Sequence, residues 1–278
     1  MTFDTNNRLR IDVELQGKNV SLIVDTGGAA GLLSQKFAES VGLDLKRVER
    51  YMQGQIVDWS GNPIDKFVRV DDFKIGPFKP RGRWTFFIID DTGVQRLPVK
   101  LPVGTLGLDF LRNFDFEIDI VGKKLSLFET GACNSALAYW AQDWMEMPFS
   151  WVGGNKDLGG IEVKVLLDGK EVRAMLDTGA PSSLLDLTTA RRLFGLKPGS
   201  PGMVKAEDLG TIDDDEAHAS YRYEFGSLDL GDVEIKDTEF QLANMGGDGM
   251  ILGMHHLRHF RMLISPANKR IYFTPASM

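Results

Sequence analysis

The sequence predicts a mainly-β protein with a few short helices, built as two tandem copies of one unit. Three observations predict this. Val13–Leu33 (VELQGKNVSLIVDTGGAAGLL) aligns without a gap on Val165–Leu185 (VLLDGKEVRAMLDTGAPSSLL), so that Asp25, Thr26 and Gly27 meet Asp177, Thr178 and Gly179. Further on, Gly107–Phe114 (GLDFLRNF) aligns on Gly253–Phe260 (GMHHLRHF). Each copy also opens with alternating apolar residues and closes with an apolar strand-like run, KKLSLF and KRIYF. A unit of about 130 residues is too long for a solenoid repeat. The chain therefore divides into an N-terminal lobe at 1–130, a linker at 131–150 and a C-terminal lobe at 151–278. Residues meeting at the approximate two-fold axis of such a pair come one from each lobe.

Within a unit, RIDVEL, a Gly-Lys turn and VSLIV read as a hairpin that ends on Asp25. LLSQKFAESVGL follows with helical apolar spacing and stops at Gly42; SLLDLTTARRLFGL does the same and stops at Gly195. Strand-and-turn segments come next, GQIVDWSGNPIDKFVRVDDFKIG in one copy and HASYRYEFGSLDLGDVEIKDTEFQLA in the other. Each unit then closes with an apolar-apolar-Gly step, a short helix and a last strand. The linker GACNSALAYWAQDWMEMPFS reads as a short helix and an extended link.

Composition bounds the function. With 278 residues, 43% apolar and 26% charged, either half can bury a core, and global disorder is excluded. No apolar run reaches the roughly 18 residues of a membrane span. A net charge of −7 argues against a general nucleic-acid or anionic-membrane binder, which needs a basic face. The single cysteine, Cys133, cannot form an internal disulfide and has no activating motif beside it.

One Asp-Thr-Gly tripeptide could be a simple turn, with Asp starting it and Gly at positive φ. Two, at matching positions of a repeat, point to paired chemistry. LIV and AML precede them, so each Asp leaves a buried strand, and the glycines let two such turns approach closely. Two carboxyls brought together cannot both ionise easily; one proton is shared between them, and the pair can activate water while protonating a leaving group.

On these motifs the chain resembles a bacterial aspartic protease of the retropepsin/pepsin-like superfamily. The matching residues are Ile23-Val24-Asp25-Thr26-Gly27 and Met175-Leu176-Asp177-Thr178-Gly179. Each is followed about 75–80 residues later by a hydrophobic-Gly step, Thr105-Leu106-Gly107 and Ile251-Leu252-Gly253. The resemblance implies a bilobal pepsin/retropepsin-like acid protease fold, with Asp25 and Asp177 as the catalytic dyad. It further implies that Thr26 and Thr178 bond across to the opposite loop, and that Gly107 and Gly253 pack beneath the Asp loops. Retroviral members assemble the site from two chains, whereas this chain carries both halves and is expected to act as a monomer. It departs from the pattern at Gly28, where the family usually has Ser or Ala, and at Thr105, a weak match to the hydrophobic position.

A flap hairpin is expected over Ile56–Arg69, turning at Ser60-Gly61-Asn62-Pro63. Trp59 either serves as its tip aromatic or simply packs. The acidic run Asp213–Glu216 reads as a solvated loop that would favour basic substrates if it borders the cleft. His255, His256 and His259 invite a metal reading, but they occupy a helix the repeat already requires and no HExxH motif is present. No metal and no cofactor is expected. GGNKDLGG at 153–160 lacks the strand and helix of a phosphate loop. The apolar stretch Met145–Val152 has no first-copy counterpart, which predicts a strand, and a signal or anchor, before Met1. Export to the periplasm or secretion follows from that; a cytoplasmic protein follows if the chain starts at Met1. The function expected is an endopeptidase on extended protein segments. The alternatives are a non-catalytic peptide-binding protein of the same fold and a protease restricted to self-processing.

Overall fold

The computed structural model describes residues 1–4, 7–49, 57, 62–90, 102–129, 138–152, 159–206 and 219–276. Trp59, Cys133, the run 213–216 and residues 153–158 lie outside them. The first half contains β1 (Thr2–Phe3), β2 (Leu9–Leu15), β3 (Lys18–Val24), β4 (Leu32–Ser34), α1 (Gln35–Ser40), β5 (Lys46–Arg47), β6 (Lys66–Val70) and β7 (Phe73–Lys74). It continues with β8 (Trp84–Ile89), β9 (Gly104–Leu106), α2 (Leu108–Leu111), β10 (Phe114–Asp119) and β11 (Lys124–Glu129). Then follow β12 (Met145–Pro148), β13 (Ser150–Trp151), β14 (Ile161–Leu167), β15 (Lys170–Leu176), β16 (Leu184–Asp186), α3 (Leu187–Phe194) and β17 (Val204–Lys205). The chain closes with β18 (Tyr221–Asp229), β19 (Glu234–Ala243), β20 (Met250–Leu252), α4 (Met254–Leu257), β21 (Phe260–Ser265) and β22 (Arg270–Pro275). The protein is thus mainly β with four short helices among the described residues.

The opening hairpins follow from alternation and turn chemistry. β2 and β14 bury every second residue. Their turns sit at Gln16-Gly17 and Asp168-Gly169, one residue before the expected Gly-Lys pair. Both residues of each turn have positive φ (49° and 69°; 44° and 73°), the conformation a two-residue hairpin turn requires. The helices begin later than their apolar spacing suggests. Leu32-Leu33 and Leu184-Leu185 are strand, because each pairs on one side with the closing strand β9 or β20 and on the other with β8 or β19. The helices start only after Ser34 and Asp186, whose side chains accept from Phe37 N and from Thr188 and Thr189 N. Gly195 ends α3 in the left-handed region.

Three sheets result among the described residues. The first-half sheet runs β1-β2-β3-β9-β4-β8-β6-β5, and the second-half sheet runs β13-β14-β15-β20-β16-β19-β18-β17. Their inner order is the same, as the repeat predicts. A third sheet, β11-β10-β21-β22-β12, draws strands from both halves, with Phe116 opposite Ile264 and Ile118 opposite Met262. The linker supplies β12, which pairs with β22, so its C-terminal end is part of a sheet and not merely an extended link.

The largest cluster of buried apolar side chains runs through both halves, from Leu9 to Phe273. Each fully buried Leu, Ile or Phe contributes about 1.5–3 kcal/mol. The shared sheet also carries an ion pair that joins the halves. Arg261 on β21 donates to the wholly buried Glu117 on β10 at 2.7 Å, and the Tyr139 hydroxyl donates to the other Glu117 oxygen at 2.7 Å. The Arg261 guanidinium lies 4.6 Å from the Trp140 ring centroid.

Candidate active site

Each Asp-Thr-Gly stands at the end of a strand held by a parallel neighbour. β3 pairs with β9, Val24 against Leu106, and β15 pairs with β20, Leu176 against Leu252. Asp25 N donates to Leu106 O at 3.0 Å, and Asp177 N to Leu252 O at 3.0 Å. The apolar-Gly step therefore fixes the backbone from which each Asp projects. In both halves the next residue is a glycine whose missing side chain lets the loop sit on it. A Cβ on Gly107 would stand 2.4 Å from Ala30 C, and one on Gly253 would stand 2.2 Å from Ser182 O. Because these neighbours are backbone, Gly253→Ala is expected to destabilise the fold by about 1–3 kcal/mol, the usual range for overpacking, read as a shift in a urea unfolding curve at constant slope.

The two loops interlock. Thr26 N donates to Thr178 Oγ1 at 3.1 Å, and Thr178 N to Thr26 Oγ1 at 3.0 Å. Each hydroxyl then donates across the junction, Thr26 to Leu176 O at 2.8 Å and Thr178 to Val24 O at 2.6 Å. Both threonines are wholly buried. All four bonds connect residues about 150 apart in sequence, so the halves meet at these threonines through donors and acceptors fully matched.

This lock sets the carboxyls together. Gly27 faces Asp177 so closely that a Cβ there would lie 2.3 Å from its Cγ, and a Cβ on Gly179 would lie 2.7 Å from the Cγ of Asp25. The two carboxyls hydrogen-bond each other. Asp25 Oδ1 accepts from Gly27 N at 3.1 Å and Gly28 N at 2.7 Å; Asp177 Oδ1 accepts from Gly179 N at 2.8 Å and Ala180 N at 3.0 Å. Burial raises both carboxyls above the ordinary range, Asp177 to about 7, with the charge of Asp25 adding to the rise. Arg8, itself bonded to Asp4, favours the ionised form of Asp25. Gly28 stands where the second half has Ala180. A Cβ there would be 2.7 Å from Asp25 Oδ2, so this loop leaves no room for a side chain beside its own carboxyl.

The helices after the glycines brace the loops from below. Leu108 N and Asp109 N donate to Gly28 O and Ala29 O; Met254 N and His255 N donate to Ala180 O and Pro181 O. In the first half, Asp109 Oδ1 also accepts from Gly31 N at 3.0 Å, and Arg112 donates to Ala29 O at 3.0 Å. Burial lifts Asp109 to about 6. Sequence reasoning did not single out Asp109 or Arg112. The signal was present in the repeat, since Arg112 recurs as Arg258 whereas Asp109 is replaced by His255.

The hydroxyl of Thr105, the weak match in the first apolar-Gly step, is buried without a partner. Val57 and Pro63, within the expected flap, form an isolated antiparallel bridge. Among the described residues no three His, Cys, Asp or Glu side chains converge to hold a metal, and no helix is long and apolar enough to cross a membrane.

Two family models match the chain, one in each half. Residues 11–110 match the family model described as "Aspartyl protease", and residues 163–259 match the one described as "gag-polyprotein putative aspartyl protease". DNA damage-inducible protein 1 of Chaetomium globosum is 30% identical over 124 residues, a match covering 44% of this chain and 25% of that protein. The chain thus spans a quarter of that relative's length. Among solved structures, a retropepsin-like aspartic protease from Rickettsia conorii aligns over 48% of this chain and 94% of its own at 17% identity and TM-score 0.35. Basic 7S globulin from soybean aligns over 96% and 91% at 11% identity and TM-score 0.49.

Proposed function

We propose that this chain, which belongs to the retropepsin-like aspartic proteases, is an endopeptidase that cuts extended protein segments with a water activated between Asp25 and Asp177. The observation that carries this reading is the hydrogen-bonded pair of raised carboxyls at the junction. With one shared proton, the ionised member takes a proton from water as the oxygen attacks the scissile carbonyl carbon. The protonated member gives its proton to the carbonyl oxygen. The resulting gem-diol collapses as a proton passes to the amide nitrogen and the C–N bond breaks, and the pair again holds one proton. General acid–base catalysis of this kind contributes about 10²–10⁴-fold. The hydrogen bond from Asp177 and, less, the charge of Arg8 favour the ionised form of Asp25, and the charge of Asp25 raises Asp177, so Asp177 holds the proton in the resting pair. Thr26, Gly27, Thr178 and Gly179 keep the two carboxyls in contact, while Gly107 and Gly253 seat the loops. The pair forms within one chain, which supports activity as a monomer with lobes at 1–130 and 151–278.

The test is a peptide-library digest read by mass spectrometry between pH 3 and 8. Cleavage is expected with a bell-shaped profile. Its alkaline limb falls near pH 7, where Asp177 loses the proton that the carbonyl oxygen must receive. Its acid limb falls where Asp25 gains one. A folded chain that binds library peptides without cutting them at any pH would replace this reading with a peptide-binding module.

A further inference from the structure

The two halves differ beneath their Asp loops. Leu32 pairs with Phe87 as Leu184 pairs with Gln241, so Trp84 and Thr238 are equivalent. The sequence alignments make Gly31 equivalent to Ser183 and Phe110 to His256. In the first half this layer is apolar, with the Trp84 and Phe110 rings edge to face at 5.1 Å. In the second half it is a hydrogen-bonded chain. Ser183 Oγ lies 2.7 Å from His256 Nδ1, and Thr238 Oγ1 lies 2.5 Å from His256 Nε2. Gly253 N donates to Ser183 Oγ at 2.9 Å. Ser183 and His256 are 2% exposed and Thr238 is 4% exposed. The imidazole stacks on Phe240 at 4.8 Å.

A neutral imidazole has one donor and one acceptor, which is what this chain can use. With its proton on Nε2, Gly253 N–H donates to Ser183 Oγ, Ser183 O–H donates to Nδ1, and Nε2–H donates to Thr238 Oγ1. An imidazolium would present N–H at both nitrogens. The Ser183 oxygen would then receive two donors while its own proton lost its acceptor, inside a buried layer where an unmatched polar group is costly. The charged and titratable groups acting on the ring give it no help. His255, His259 and Arg258 all oppose its protonation, and Glu239, on β19, acts on His255.

We propose that neutral His256 is a positioning residue that ties the Asp177 loop to α4 and β19, and that its protonation releases this tie and sets the acid limit of the second half. The consequence for peptide cleavage rests on the endopeptidase reading; the consequence for folding does not. Burial keeps the imidazole well below its ordinary range, at about 3. Between about pH 6.5 and 3 the unfolded chain therefore binds a proton that the folded one does not. Over that window this group alone lowers the folding constant about tenfold per pH unit, and above it has no effect.

The test is ¹⁵N NMR of the His-labelled full chain from pH 8 to 3.5. His256 is expected to keep one neutral tautomer to below pH 4, while His255 and His259 titrate at higher pH. A His256 resonance titrating near 6.5 overturns the proposal. His256→Gln can still bond both hydroxyls but cannot ionise; its acid unfolding is expected to be less steep by about one proton. Overlaid curves for the variant and the parent chain overturn the proposal. Ser183→Ala cuts the chain at the loop and is expected to lower kcat roughly tenfold, the equivalent of one lost hydrogen bond, with KM little changed and the acid limb displaced. Should His256→Gln fail to fold, the titration of the parent chain still decides. Should the parent chain cleave nothing, the endopeptidase reading fails, while the titration and acid unfolding still judge His256.

Discussion

Asp25→Asn and Asp177→Asn are each expected to lower kcat/KM for peptide cleavage by at least about 10³-fold, within the range for a lost general acid–base partner. An asparagine side chain fills the same space, and its oxygen can still accept from the loop amides that now hold each carboxylate, Gly27 and Gly28 or Gly179 and Ala180. What it lacks is ionisation. With Asn at 25 no base takes the proton from water; with Asn at 177 no acid protonates the carbonyl oxygen. Because the pair works as a unit, the double variant is expected to lose little more than either single one. Initial rates on one cleaved peptide, with circular dichroism to establish folding, check this. Residual activity within tenfold of the parent in either variant would contradict it.

The second large effect is on stability. Thr26→Val keeps the shape of the side chain and removes its hydroxyl. Leu176 O then loses its donor and Thr178 N its acceptor, both at a wholly buried junction. Each unmatched group costs about 1–3 kcal/mol, so the substitution is expected to cost about 2–6 kcal/mol. Thr178→Val leaves Val24 O and Thr26 N in the same position and is expected to cost the same. The two losses are expected to be non-additive, since the side chains share one network. Thr26→Ser restores the hydroxyl and most of the stability. Urea unfolding of the parent, the two valine variants, their double variant and Thr26→Ser reads all of this, and a cost below about 0.5 kcal/mol for either valine variant would show that the threonines do not hold the halves together.

Much of this arrangement was legible before the structure, because duplication made it so. One Asp-Thr-Gly is a turn, but two at matching positions specify a pair, and the apolar-Gly step that recurs after each marks the strand that pairs beside it. Long-range pairing was less legible. Leu32-Leu33 carries helical spacing, yet it lies between β8 and β9, whose residues stand more than fifty positions away. Backbone partners at that distance leave no local trace. The turn falls at Gln16-Gly17, one residue before the Gly-Lys pair, since the decisive property is positive φ at both positions, which Gln does not advertise. The Ser183–His256–Thr238 chain was missed for a different reason. Reading the copies for what they share hides what they do not, and Gly31, Trp84 and Phe110 became polar in the second copy only as a set. Trp59 as a flap aromatic and the acidic run as a cleft border fall outside the described residues.

Asp25 and Asp177, one from each copy, are expected to behave as a single proton-sharing unit. The most direct measurement is a ¹³C NMR titration of their side-chain carboxyls in the parent chain and in each Asn variant. One carboxyl of the parent is expected to titrate near 7, and replacing either aspartate is expected to shift the curve of the survivor. Two independent titrations in the ordinary carboxylate range, each unchanged by loss of the other residue, would contradict it.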